Sequence, residues 1–219
     1  MRRKHIAVLF ALLSLSGFIA LSLVACGGGG GDDEETTPTP ADVARTTCKP
    51  AEPVVPRTPT DLPPEFAEYQ SPERGYSVRY PGDWRAKPNV IALQNINGDA
   101  FFAPSSATKI TPNFSVACEA VPIGTTSQEY ADAKRSVVLR VVGKLPDVEK
   151  TLTVDGTEAF SVKYALESVQ NNESLKLEKV EVFFADDLGG WVIALTAPEG
   201  TSETYRAAFD AFVQSYQRP

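Results

Sequence analysis

Between residues 65 and 219 the apolar positions recur with two periods. Tyr76, Val78 and Tyr80 alternate with Ser77 and Arg79 and stop at Pro81-Gly82, as a half-buried strand ending in a turn does. Val90 to Asn95 and Ala100 to Ala103 read as short strands around Asn97-Gly98. Phe114, Val116 and Cys118 share one face of a strand that ends near Pro122. Thr126-Ser127-Gln128-Glu129 is a capping box, and the helix it opens carries Tyr130, Ala133, Val137 and Val141 on one side. Past the hairpin turn Val154-Asp155-Gly156-Thr157, Phe160, Val162, Tyr164 and Leu166 alternate with Ser161, Lys163 and Ala165. Leu175 and Leu177 keep one phase while Val180, Val182 and Phe184 keep the other, which predicts a bulge near Glu178. After the turn residues Asp186 to Gly190, Trp191 to Leu195 is apolar on both faces and reads as a central, covered strand. Thr201 caps a last helix whose Tyr205, Ala208, Phe209, Phe212, Val213 and Tyr216 form one stripe. Runs of strands with helices outside them predict an α+β sandwich.

Upstream the pattern stops. Residues 27–64 contain five glycines, eight prolines and many threonines with no hydrophobic period, so they read as a disordered tether. Such a chain spans about 35 Å root-mean-square. Before it, Arg2, Arg3 and Lys4 precede an uncharged stretch from Ile6 to Ala25, the layout of an export signal. Three segments follow: 1–25 as signal peptide, 26–64 as tether and 65–219 as the folded domain. The formal charge of −7 excludes a nucleic-acid footprint. Removing residues 1–25 takes three of the 21 basic residues and none of the 28 acids, leaving a net of −10.

The chain has three cysteines. Leu23-Val24-Ala25-Cys26 resembles the lipobox of bacterial lipoproteins, in which cleavage falls before a cysteine that receives a diacylglycerol thioether. The resemblance makes Cys26 a lipidated N-terminus and places the protein on the extracytoplasmic face of a cell membrane, held there by acyl chains. Export puts Cys48 and Cys118 in an oxidising compartment, where an even pair usually forms a disulfide; a Cys48–Cys118 bridge is expected. Two cysteines without a histidine do not complete a zinc set.

The stretch Tyr69 to Trp84, with Gly75-Tyr76, Tyr80-Pro81 and then Trp84, resembles the opening hairpin of the PsbP-like superfamily. The match continues in order through Pro112 to Val116, Ser127 to Tyr130, Val154-Asp155-Gly156 and Phe212 to Tyr216. The superfamily includes a photosystem II extrinsic subunit and bacterial envelope lipoproteins of the DcrB and LpqN kinds. The resemblance implies an antiparallel sheet with helices on both faces. It also implies a binding or assembly module instead of an enzyme, with Gly75, Tyr76, Tyr80, Pro81 and Trp84 serving the fold.

The only histidine is His5 and the only methionine is Met1, both inside the segment read as removed. This weakens serine triads, thiol–histidine pairs and haem or copper sites. No catalytic residue, metal or cofactor is expected. Trp84 and Trp191 read as core residues, and Asp83, Asp186 and Asp187 as turn residues. The expected function is non-catalytic binding of a protein partner near a membrane. The alternatives are a photosystem II-type extrinsic subunit and a carboxylate-based hydrolase.

Overall fold

The segment that is apolar on both faces becomes the middle strand of a seven-stranded sheet in a computed structural model of the chain. The structure describes residues 44–50, 65–90, 96–104, 109–170 and 173–218. The expected leader, and Cys26 with it, lie outside the described residues, as does most of Val90 to Asn95. In chain order the elements are β1 (Phe66–Gln70), β2 (Ser77–Pro81), β3 (Arg85–Lys87), β4 (Ile96–Phe102), β5 (Asn113–Glu119), α1 (Ser127–Val142), β6 (Val148–Val154), β7 (Thr157–Gln170), β8 (Glu173–Ala185), β9 (Gly190–Pro198) and α2 (Ser202–Gln214).

β1 and β2 form a separate antiparallel hairpin, while the large sheet runs β3-β4-β5-β9-β8-β7-β6. Two antiparallel meanders meet at the β5–β9 pairing, and α1 links the end of the first to the start of the second. α1 packs on β7 and β8 from one side. α2 and the β1–β2 hairpin cover the other, where Trp191, Ile193, Leu195, Val182 and Phe184 meet Phe209, Phe212, Val213 and Tyr216. The fold is α+β, with helices on both faces of the sheet.

Three local expectations are corrected. β8 runs in unbroken register against β7 from Glu173 to Phe183, with no bulge at Glu178. The phase change arises because Lys179 and Glu181 occupy positions on the α1 side, where Glu181 accepts hydrogen bonds from Lys179 Nζ and the Tyr164 hydroxyl, both at 2.8 Å. The register shift lies instead in edge strand β6, between Val148 and Lys150. Asn97 and Gly98 do not separate two strands; both lie inside β4, paired with Cys118 and Ala117, since a long partner strand overrides local turn preference. In α1 the buried residues are Ser127, Tyr130, Ala131 and Val138, whereas Ala133 and Val141 are exposed. The Tyr130 ring rests on Gly190, where an added Cβ would sit 2.4 Å from it, and this contact sets the rotation of the helix.

Candidate functional site

Residues 44–50, which composition assigns to the tether, run along the end of β5. Thr46 N–H donates to Val121 O at 2.9 Å, Val121 N–H donates to Thr46 Oγ1 at 3.0 Å, and Ile123 N–H donates to Ala44 O at 3.0 Å. Cys48 N–H reaches Leu188 O at 2.8 Å, and Cys48 is joined to Cys118 by a disulfide, Cα to Cα 5.8 Å. Cys48 sits at φ 58°, in the left-handed region that favours glycine. The bridge is seated on Gly189, where an added Cβ would lie 2.5 Å from Cys118 Sγ and 2.8 Å from Cys48 Sγ. We call this segment the strap.

The β1–β2 turn faces the strap. Ser71 N–H donates to Tyr76 O at 2.8 Å and Gly75 N–H to Ser71 O at 2.9 Å, a closure that needs the φ of 73° at Gly75. It sends Tyr76 inward, stacked on Tyr216 and edge-on to Trp191. The Tyr76 hydroxyl donates to Asp99 Oδ2 at 2.6 Å, while Asn89 N–H donates to Asp99 Oδ1 at 3.0 Å. Asp99 is 1% exposed and Arg74, on the same turn, 3%. Burial, then the negative charge of Asp99, pushes the ionisation of Tyr69 and Tyr76 upward, so both hydroxyls stay protonated, and that of Tyr76 serves as the donor to Asp99.

Between the turn and the strap lies a cleft of about 220 Å³, walled by the disulfide, Thr47, Lys49, Glu73, Arg74 and Ala120. A larger groove of about 520 Å³ runs between the end of α1 and β7, past Val142, Pro146 and Tyr164. Its Lys163 is engaged by Glu178 and Glu203, and it contains no buried charge, so the smaller cleft is the better candidate despite its size.

The other residues named from sequence serve the fold. Tyr80 packs on Phe101, Trp84 on Phe114 and Tyr205, and Pro81 ends β2 opposite Phe66. Trp191 is fully buried, its indole N–H donating at 2.9 Å to Asp186 Oδ1, which also accepts from Leu188 and Gly189 N–H. Asp83 and Asp187 are exposed, and among the described residues no three His, Cys, Asp or Glu side chains are grouped to hold a metal ion. The displaced carboxylates are all held low: Glu129 by the Thr126 N–H and hydroxyl, and Glu149 by Arg206. At Glu178 burial pushes upward but is outweighed by Ser202 and Lys163. That leaves no carboxyl of raised affinity for a proton among those shifted, as a glycosidase acid would need. Among the described residues no helix is long and apolar enough to cross a membrane. Arg74, Asp99, Asn89 and Lys49 were not singled out from sequence; Arg74 lies inside the recognised motif, but nothing in the string marks a charge that will be buried.

No family model and no curated protein matches the chain. Its fold is PsbP-like: the solution structure of cyanobacterial PsbP from Synechocystis sp. PCC 6803 superposes with a TM-score of 0.50 at 13% identity, over 75% of this chain and 99% of that one. Lower in similarity is a Pseudomonas aeruginosa protein described as a putative regulator, with TM-score 0.42, 17% identity, and 71% of this chain against 99% of that one. LpqN of Mycobacterium tuberculosis, described as involved in cell envelope biogenesis, gives TM-score 0.32 at 12% identity, over 81% of this chain and 92% of that one.

Proposed function

We propose that this chain is a lipid-anchored, non-catalytic protein on the extracytoplasmic face of a cell membrane, whose α+β domain binds a protein partner at the strap cleft. The observation that carries the reading is the cleft itself. A disulfide-clipped strap and a buried cationic turn make a built, solvent-reaching recess, and no side chain in it is arranged for proton transfer. The lipobox and the basic, then apolar, leader support the anchor. A tether of that length confines the domain near the membrane, raising its effective concentration for partners held there.

The test is photo-crosslinking in intact cells with the reactive residue at Thr47, beside the cleft, or at Leu139, exposed on α1. A discrete protein adduct is expected from Thr47 and not from Leu139. Hydrolysis of a substrate panel by the purified chain, lost on replacing one acidic pair, would overturn the reading. The anchor is checked separately. Cys26→Ala should move the protein from the membrane to the soluble fraction, and the intact mass of the wild type should begin at an acylated Cys26.

A further inference from the structure

The Arg74 side chain is 4% exposed, yet each acceptor near it is distant: Asp99 Oδ1 at 3.5 Å, Asn89 Oδ1 at 3.4 Å and Glu73 Oε2 at 3.8 Å. Charge-assisted hydrogen bonds close at about 2.7–2.9 Å, and a guanidinium offers five N–H donors. Its nominal counter-ion is committed elsewhere, since Asp99 receives the Tyr76 hydroxyl at 2.6 Å and the Asn89 N–H at 3.0 Å. Glu73 stands half-exposed at the rim and accepts from Asn89 Nδ2 at 2.7 Å. A buried cation without a close acceptor is costly, and this one borders a hollow of about 220 Å³. Lys49 adds a second cation on the exposed strap, with no acidic partner among the described residues.

We propose that the strap cleft binds a carboxylate group carried by the docked partner, with Arg74 making the paired contact and Lys49 the outer one. This rests on the reading of the domain as a binding module and names the chemistry that it recognises. Two planar oxygens match the Nη1 and Nη2 fork. Arg74 already stands near two acids, Asp99 and Glu73, and Lys49 adds one further positive charge, so the site suits a singly charged group and not a dianion.

The experiment titrates the disulfide-intact full chain with sodium acetate at low ionic strength, with sodium chloride and inorganic phosphate as parallel arms. It follows the amide resonances of Thr47, Lys49 and Arg74 and the guanidinium N–H signals. Saturable shifts are expected with acetate and not with chloride. Arg74→Lys should weaken them more than about tenfold, because the fork is lost at a buried charge-assisted contact. Lys49→Ala, on the exposed strap, should weaken them about threefold, and it keeps the test open if the Arg74 variant fails to fold. No saturation, or equal shifts in both variants as from an adventitious ion only, overturns the proposal, and so does phosphate binding tighter than acetate. A Thr47 crosslink that persists without acetate binding removes the carboxylate inference and leaves the partner reading standing. Acetate binding with no crosslinked partner supports the cleft and removes the partner.

Discussion

Asp99 and Glu181 are the buried carboxylates among the described residues, and the two oxygens of Asp99 are held by different elements. Tyr76 reaches it from β2's approach, and Asn89 from the loop before β4. Tyr76→Phe keeps the ring in its stack on Tyr216 but removes the donor, leaving a buried carboxylate short of one bond. The expected loss is about 1.5–3 kcal/mol in chemical denaturation; a change within a few tenths would mean that the hydroxyl stabilises nothing. Tyr69, Tyr76, Tyr130, Tyr164 and Tyr216 all have ionisation pushed upward, each first by burial. In the unfolded chain these phenols lose their protons near pH 10, so the folded state binds those protons more tightly. The stability they contribute is therefore complete below about pH 10 and falls as pH rises beyond it. Tyrosinate absorbance should develop together with loss of circular dichroism; a full titration with the fold intact would contradict this. None of this was readable from sequence. Tyr76 is predicted inside by its alternation, but Asp99 follows Asn97-Gly98, a string that reads as a solvent turn.

Helix starts were the most legible elements, because a cap is a local contract between residues three apart. Thr126 Oγ1 accepts from Glu129 N–H at 3.2 Å, and Glu129 Oε2 accepts from Thr126 N–H at 2.9 Å, as the capping box predicts. Thr126→Ala should cost about 1 kcal/mol by denaturant midpoint, with α1 fraying first in amide exchange. Thr201 at the start of α2 behaves differently. Its hydroxyl donates back to Pro198 O, and the helix N-terminus is instead met by Glu178 Oε2, which accepts from Ser202 N–H at 3.2 Å. That carboxylate belongs to β8, 24 residues upstream, so no local pattern could reveal it. The imagined bulge at Glu178 and the misjudged face of α1 have the same origin. Lys179, Glu181 and Gly190 take their places from contacts across the sheet, and hydrophobic period sees only neighbours along the chain.

At the level of the whole molecule, the disulfide closes a separation of 70 residues that contains the β1–β2 hairpin, β3, β4 and nearly all of β5. Replacing Cys48 by Ser together with Cys118 by Ala should lower stability by about 2–4 kcal/mol, through the freedom returned to the unfolded loop. A calorimetric transition that did not move would remove this role. Gly189→Ala should act in the same direction, and more strongly in oxidised protein, since its methyl group would meet both bridged sulfurs as well as Glu119 O at 2.9 Å. The strap also decides where mechanical load enters the domain. Any pull arriving from the N-terminal side of residue 44 passes at Cys48 into Cys118, in a strand flanked by β4 and β9, and bypasses residues 49–117. The backbone between the two cysteines, the turn with Arg74 included, carries none of that load along its own length, although β2 is still held to the C-terminal end through Ser77 and Gln217. Stretched between its ends in a single-molecule experiment, the oxidised chain should therefore unfold short by about 250 Å, the extended length of the bypassed loop, and recover that length when a reductant is added.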